Sequence, residues 1–174
     1  MGLAAELGYQ YRAQNTLQRL VVKLASTRVV SAVMPTLLPP ADRLTLRMTS
    51  GRATLSSVLS GLPPVWITTT GARTGMSRTV PLIAFPTGGD LALLGSSFGR
   101  HKTPAWVHNI ENDPNVTVSY RGVSVPSKAR SARPEEEPGI WDLAGSVYPG
   151  YLSYGERASH RRIRVFVLEP IPIR

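Results

Sequence analysis

Short runs of β-branched and apolar residues, separated by turns rich in glycine and proline, fill most of the chain after Pro64. Residues 65–70 precede a turn at 71–75, and residues 79–85 follow it. Runs of this length between turn residues predict strands joined as hairpins. The same pattern predicts further strands at residues 91–94, 116–120, 123–128 and 164–168. It favours a mainly β fold over a helical bundle, and the last run suits a strand that closes a barrel.

Short helices are predicted within this β region. Pro104 at a first helical turn indicates a helix that ends at Asn112, and Pro134 followed by three glutamates indicates a second helix start. For residues 148–154 a regular helix is uncertain, because Pro149 and Gly150 interrupt the segment.

An amphipathic basic helix is predicted nearer the start, and it is expected to end near Pro35. Apolar residues recur there at helical spacing: Leu17, Leu20, Val21 and Leu24. Two alternatives stay open for this stripe, namely contact of residues 14–34 with an anionic membrane surface, or packing against the domain or a second subunit. We divide the chain into residues 1–61, a helical extension and linker, and residues 62–174, a single β domain.

The charge predicts an anionic partner, with simple solubility of the protein as the alternative. The 174 residues include 20 Lys and Arg against 11 Asp and Glu, a net charge of +9, which suits nucleic acid, a phosphorylated cofactor or an acidic lipid surface. No cysteine is present, which excludes disulfides, iron–sulfur ligation and thiolate catalysis, so redox chemistry would require a bound cofactor. No apolar run marks a membrane span or a secretory signal, and a cytoplasmic location is expected, with the inner face of the membrane as a peripheral alternative.

Several other functions have little support. The histidines, His101, His108 and His160, lack the spacing of a zinc motif, so no metal site is predicted. No nucleic-acid reader motif is present, and aromatic residues, at 7%, are few for a stacking platform. Nucleic acid is therefore not an expected partner.

Two loops are candidates for binding an anion. In the turn at residues 71–78, glycines free the backbone to curl its amides, and Arg73 and Arg78 supply charge. In the loop at 95–104, Lys102 precedes a helix N-terminus, and Trp106 offers a flat face to a ring system. The alternatives are a solvated hairpin tip for the first loop and a core aromatic for Trp106.

Three tyrosines form a third candidate group. Tyr148, Tyr151 and Tyr154 follow one another at intervals of three residues, so a helical turn would place them on one side. Their hydroxyls can hydrogen-bond an acceptor carbonyl while the rings line an apolar pocket. A hydrophobic lid or an interface patch is the alternative.

Four motifs together resemble the deazaflavin-dependent nitroreductase and quinone reductase family. They lie at residues 68–75, 78–82, 102–109 and 112–116, and the resemblance covers residues 62 to 170. It implies an α+β, mainly β, split β-barrel of the FMN-binding type, with a few short helices, that binds reduced coenzyme F-420. The cofactor's phosphate and oligoglutamate tail would explain the positive charge.

The resemblance also implies roles for individual residues. The phosphate and ribityl region would be held by Arg73, Thr74, Gly75, Arg78, Pro81 and Leu82, and the cofactor site would be completed by Ser97, Lys102, Trp106 and Asn109. Ser96 and the three tyrosines would face the reacting end. Ala72 and Ser97 stand where family members carry basic residues, which implies a lower affinity for the cofactor.

The resulting hypothesis is an oxidoreductase that transfers a hydride from reduced coenzyme F-420 to a quinone, with nitro compounds as further acceptors. Tyr151, or else Tyr148 or Ser96, would donate a hydrogen bond to the acceptor oxygen that gains charge. The alternatives are an FMN-dependent enzyme on the same barrel and a non-catalytic protein that binds a cofactor or lipid. A monomer and a homodimer are both compatible with the sequence.

Overall fold

The structure is a computed structural model that describes residues 2–9, 15–25, 40–42, 44–45, 48, 57, 63–99, 101–157 and 160–172. The predicted helix end near Pro35 lies outside these residues. The helices are α1 (Leu3–Glu6), α2 (Thr16–Ala25), α3 (Ala105–Asn112), α4 (Glu137–Val147) and α5 (Gly150–Arg157), with a 3-10 turn at Ser97–Gly99. The strands are β1 (Pro64–Thr70), β2 (Ser77–Ile83), β3 (Phe85–Thr87), β4 (Asp90–Leu94), β5 (Asn115–Tyr120), β6 (Val123–Ser131) and β7 (Val165–Pro170).

The strands form one antiparallel sheet in the order β2-β1-β5-β6-β7-β4-β3. Its two edge strands, β2 and β3, are consecutive in sequence and separated only by Ala84. One bent segment therefore pairs with β1 through its first half and with β4 through its second half. The sheet curls back on itself, and the mainly β barrel with short helices that the sequence predicts is confirmed.

Two apolar clusters stabilise the barrel from inside and outside. The interior cluster contains alternate residues of the strands, such as Val65 and Ile67, which are buried because successive side chains point to opposite faces. Helix α3 packs into this interior through Val107. The outer cluster places helix α4, through Ile140 and other apolar residues, against the outer face of β4 and β7.

The first residues of the chain belong to the interior cluster. Leu3, Leu7 and Tyr9 are buried in it, and the backbone N–H of Leu3 donates to the carboxylate of Asp90 at 3.0 Å. The Tyr9 hydroxyl donates to the Ala84 carbonyl at 2.9 Å, where the bent strand turns. The division of the chain at residue 62 stays a prediction, but residues 3–9 share one core with the barrel.

Helix α2 leaves an apolar stripe in solvent. Leu17, Leu20 and Leu24 are exposed, whereas Val22 is buried. Within the described part of the chain, no helix is both long and apolar enough to cross a bilayer. The predicted amphipathic helix is observed at Thr16–Ala25, and Leu17, Leu20 and Leu24 on its outer side are more than half exposed.

A partly buried ion network joins β6, β7 and the start of α4. The Arg130 guanidinium donates two hydrogen bonds to Glu136, at 2.7 and 2.8 Å, and one to Glu169 at 2.6 Å. Glu136 also accepts the backbone N–H of Arg133 at 2.8 Å. These bonds, above all the one from Arg130, lower the pKa of Glu136 from 4.5 to about 2.

Replacing Glu136 by glutamine is expected to lower the free energy of unfolding at pH 7 by about 1.5–3 kcal/mol, the range for hydrogen bonds to charged groups. Because the folded-state pKa of Glu136 is depressed, its stabilisation is present above the unfolded pKa and is lost as the pH falls from 4.5 towards about 2. Urea denaturation at pH 7 and pH 3 measures this loss. Glu135→Gln, at an exposed neighbour, is the control, and equal effects of the two substitutions would contradict the assignment.

Candidate functional site

The turn between β1 and β2 is held by its own backbone and side chains. The N–H of Gly71 bonds to the Met76 carbonyl, and the carbonyl of Gly71 accepts from Thr74 and Gly75. The N–H of Met76 bonds to the Thr74 hydroxyl at 3.4 Å. The N–H groups of Gly71, Thr74, Gly75 and Met76 are therefore already hydrogen-bonded within the protein. They do not form the anion-binding cradle that the sequence predicted.

Asn109 fixes the turn from helix α3. Its Oδ1 accepts the backbone N–H of Ala72 at 3.0 Å, and its Nδ2 donates to the Thr69 hydroxyl at 2.9 Å. The side chain is buried. The sequence predicted Asn109 as a cofactor ligand, and the structure shows that both ends of its amide already contact the turn.

Replacing Asn109 by alanine is expected to destabilise the protein by about 2 kcal/mol, because the buried hydroxyl of Thr69 and the backbone N–H of Ala72 each lose a hydrogen-bond partner. The turn should also loosen, so cofactor affinity should fall with it. Thermal unfolding and a cofactor titration measure the two effects. Asn112→Ala, at an exposed position in the same helix, should change neither, and an Asn109→Ala protein as stable as this control would contradict the role.

Cationic side chains surround this turn. Arg73 and Arg78 are exposed, and neither forms an ion pair with a described residue. Arg78 lies opposite the buried Thr69 and so on the inner face of the sheet. The hydroxyl of Thr74 and the backbone of Gly75, at a φ of 64°, complete an exposed tip.

The two other predicted ligands on β2 point to opposite faces. Leu82 lies opposite the buried Val65 and packs against the interior cluster. Pro81 lies opposite Trp66 on the outer face and is exposed. The alternation of a strand therefore prevents both side chains from contacting one ligand surface.

The loop after β4 combines burial, strain and charge. Ser96 is buried, and Ser97 has a φ of 48°, in the left-handed region. Gly95 lies so close to helix α3 that a Cβ there would come within 2.8 Å of Val107. Lys102 is exposed and, among described residues, has no ion-pair partner.

Trp106 lies in the barrel core. Its side chain is buried in the interior cluster, with its ring edge-to-face against Phe166 at a centroid distance of 6.0 Å. This is the core position that the sequence left open as the alternative to a ligand contact. The ring therefore anchors α3, and through α3 it supports the two loops on either side.

The three tyrosines form the cluster that their spacing predicted. Their ring centroids lie 5.6 to 5.9 Å apart, and the Tyr154 hydroxyl donates to that of Tyr148 at 3.1 Å. The segment is helical from Gly150, where a Cβ would lie 2.2 Å from the Tyr148 ring. Glycine at this position therefore lets the Tyr148 ring fold over the helix start.

Tyr151 differs from its two neighbours. Its half-buried ring packs edge-to-face on Phe85 at 5.3 Å, a contact that the sequence did not reveal because Phe85 resembled an ordinary strand residue. Burial, and then the nearby Tyr148 and Tyr9, raise the pKa of Tyr151 above its ordinary value. Its hydroxyl makes no hydrogen bond with a described residue. Tyr151 is thus a neutral donor with its proton retained.

The structure brings most of these groups together around α3 and α5. Helix α3 contacts the turn through Asn109 and the second loop through Val107, and the 3-10 turn of that loop packs against α5, which carries the tyrosines. Along the bent segment of β2 and β3, the chain from Arg78 to Phe85 spans at most about 23 Å at about 3.3 Å per residue. Arg78 and the tyrosines thus lie at opposite ends of this segment, since Tyr151 packs on Phe85.

Comparisons with known proteins agree with this geometry. An "F420H(2)-dependent quinone reductase" of Mycobacterium tuberculosis is 29% identical over 126 residues, which cover 70% of this chain and 83% of the relative. The solved structure of an F420-H2 dependent reductase, FDR-A, is 37% identical with a TM-score of 0.56, covering 62% of this chain and 94% of that chain. A structure described as a domain-swapped dimer is 34% identical with a TM-score of 0.57, and the match covers 73% of this chain and 95% of that chain. These matches confirm the split β-barrel.

The family model named "F420H(2)-dependent quinone reductase" matches residues 43–170. That range contains the cationic turn, the second loop and the tyrosines. The chain belongs to this family and is an oxidoreductase that uses coenzyme F-420.

Proposed function

We propose that the chain reduces a quinone, with Arg73, Arg78 and Lys102 holding the anionic part of the cofactor and Tyr151 directed at the acceptor. The observation that carries this proposal is which cationic side chains form ion pairs and which do not. Arg130, Arg162 and Arg164 each form ion pairs with carboxylates, whereas the three cations around the two loops have no such partner among described residues. Unpaired guanidinium and ammonium groups are available to phosphate and carboxylate ligands.

The residues present fit an elongated, anionic cofactor. The cationic end offers charge-assisted donors and the hydroxyls of Thr74 and Ser77, and the other end offers aromatic rings. When bound in its reduced form, coenzyme F-420 supplies a hydride, a pair of electrons delivered together. The protein's own task is then to bind and orient two molecules and to exclude water.

Tyr151 is the side chain best suited to act on the acceptor. Its hydroxyl is not engaged by described residues, and its raised pKa keeps the proton on the oxygen. A neutral phenol of this kind can donate to a carbonyl oxygen as that oxygen gains charge, an effect of about 2–4 kcal/mol for a well-placed donor. Tyr148 and Tyr154 donate or accept within their own pair and would orient Tyr151 by packing.

Nitro compounds are proposed as further acceptors of the same site. A nitro group and a quinone carbonyl both place negative charge on an oxygen when a hydride is added, so one phenol can serve either group. Steady-state assays with a menaquinone analogue and a nitroaromatic compound compare them. A loss of both activities in Tyr151→Phe supports a shared site, and a loss of only one indicates different donors.

The test of the proposed function is a fluorescence titration with oxidised coenzyme F-420, followed by mixing the reduced form with a menaquinone analogue. Saturable binding and acceptor-dependent return of the deazaflavin absorbance are expected. FMN is titrated in parallel. Binding of FMN alone would favour the FMN-dependent alternative, and cofactor binding without any turnover would favour a non-catalytic carrier.

Contact with the membrane is proposed for α2. Its exposed leucines, Leu17, Leu20 and Leu24, share the helix with Arg19, which suits an anionic surface. Cosedimentation with vesicles containing phosphatidylglycerol, compared with phosphatidylcholine alone, measures the contact. Replacing the three leucines by glutamine should abolish binding, whereas equal binding of both proteins would contradict the proposal.

A homodimer is proposed over a monomer, on the similarity to the structure described as a domain-swapped dimer. Light scattering on the eluting protein measures the mass in solution. A mass of one chain across a wide concentration range would contradict the dimer.

A further inference from the structure

The segment before β7 runs along the loop that follows β4. The N–H of Gly95 donates to the Arg164 carbonyl at 2.8 Å. The rings of His101 and His160 stack at a centroid distance of 3.9 Å. These contacts at both ends align residues 160–164 with the loop that contains Ser96 and Ser97.

Arg161 lies between these contacts and binds the loop directly. Its two terminal nitrogens donate to consecutive carbonyls, that of Gly95 at 3.1 Å and that of Ser96 at 2.8 Å. The rigid fork of a guanidinium suits two acceptors at fixed separation, which a lysine ammonium cannot reproduce. The Ser96 carbonyl also accepts the N–H of Gly99 at 2.9 Å. This carbonyl is therefore held both by Arg161 and by the backbone of its own loop.

These bonds fix the direction of two peptide planes. Because a trans peptide directs its N–H opposite to its C=O, the N–H groups of Ser96 and Ser97 point away from Arg161. Neither N–H bonds to a described residue. Ser97 is in the left-handed region, a conformation that is unfavourable for a non-glycine residue and is held by surrounding contacts. The loop therefore presents two adjacent donors in a defined and strained conformation.

We propose that Arg161 is a positioning residue, whose guanidinium holds the N–H groups of Ser96 and Ser97 towards an oxygen of the bound cofactor ring or the acceptor. The inference rests on the proposed function, which places this loop at the site. It gives a role to a residue that no sequence motif singled out. Arg161 acts through the backbone of the loop and makes no contact with the reacting atoms.

The experiment compares Arg161→Gln with Arg162→Gln. Both substitutions remove one positive charge from neighbouring positions, but Arg162 pairs with Glu137 on the surface. Arg161→Gln is expected to raise the Kd for coenzyme F-420 about tenfold or more and to lower kcat, and Arg162→Gln to leave both within about twofold. Added guanidinium ion should restore part of the lost activity of Arg161→Gln and none in the control. Arg161→Lys, with a single ammonium, should give a Kd and a kcat between those of Arg161→Gln and Arg162→Gln.

Hydrogen exchange of the cofactor-free proteins supplies a readout independent of activity. The amide of Gly99, which depends on the Ser96 carbonyl, should exchange faster in Arg161→Gln than in Arg162→Gln, while amides of the barrel strands stay unchanged. Equal exchange and equal affinity in the two variants would overturn the proposal. A wild-type protein that binds no coenzyme F-420 would instead refute the proposed function, and the exchange comparison would still decide whether Arg161 holds the loop.

Discussion

Replacing Tyr151 by phenylalanine is expected to lower kcat on the order of 30- to 1000-fold, the equivalent of the 2–4 kcal/mol that one well-placed donor supplies. The ring and its contact with Phe85 are retained in this variant, so the loss isolates the hydroxyl. Affinity for the cofactor is expected to stay unchanged. Stopped-flow oxidation of the reduced cofactor by a menaquinone analogue measures the rate.

Tyr154→Phe is the matched control for this experiment. It removes a hydroxyl from the same cluster, but that hydroxyl donates to Tyr148. Its effect on turnover should be below tenfold. Because burial raises the pKa of Tyr151, deprotonation of this phenol should not limit turnover below pH 10. Wild-type turnover in Tyr151→Phe would remove the residue from the mechanism.

Replacing Arg78 by glutamine is expected to raise the Kd for coenzyme F-420 about 10- to 100-fold, with Arg73→Gln acting in the same direction. The reason is the loss of a charge-assisted bond, which contributes about 1.5–3 kcal/mol. The dependence of the Kd on salt concentration should weaken as well, because one cation fewer contacts the ligand. Fluorescence titration between low and physiological ionic strength measures both effects.

Arg121→Gln is the control that separates a specific contact between Arg78 and the cofactor from the effect of the protein's net positive charge. Arg121 lies in the exposed turn between β5 and β6, where its guanidinium sits 5.3 Å from the centre of the Tyr120 ring. The substitution changes the net charge by the same amount as Arg78→Gln. If both variants bind the cofactor equally weakly, the effect comes from net charge, and Arg78 has no specific contact with the ligand.

Most strands could be predicted because their signals are local. β-branched runs such as residues 65–70 and 116–120 alternate in burial as a half-buried strand requires. The helix from Ala105 to Asn112 follows Pro104, which was the predicted start signal. The tyrosine cluster was also anticipated from its spacing, although Pro149 and Gly150 obscured the helix that carries it.

The remaining features depend on contacts distant in sequence. The bond from Tyr9 to Ala84 joins residues 75 positions apart, and no local pattern announces it. Asn109 was identified as a site residue by resemblance, and Trp106 first by its flat ring beside a basic loop. Their orientation is decided by packing, which directs Asn109 to the turn and Trp106 into the core. The sequence also did not reveal that the N–H groups of the turn at residues 71–76 are hydrogen-bonded, because those bonds depend on how the turn folds and on Asn109, which is distant in sequence.

The first residues of the chain fill part of the barrel interior and keep water out of it. A protein shortened to residues 62–174 would lack the side chains of Leu3, Leu7 and Tyr9, all of which fill the interior. Water could then enter beside Leu91 and Leu93, and the carbonyl of Ala84 would lose the phenol that satisfies it. Shortened forms of the protein should therefore keep residues 2–9 together with the barrel.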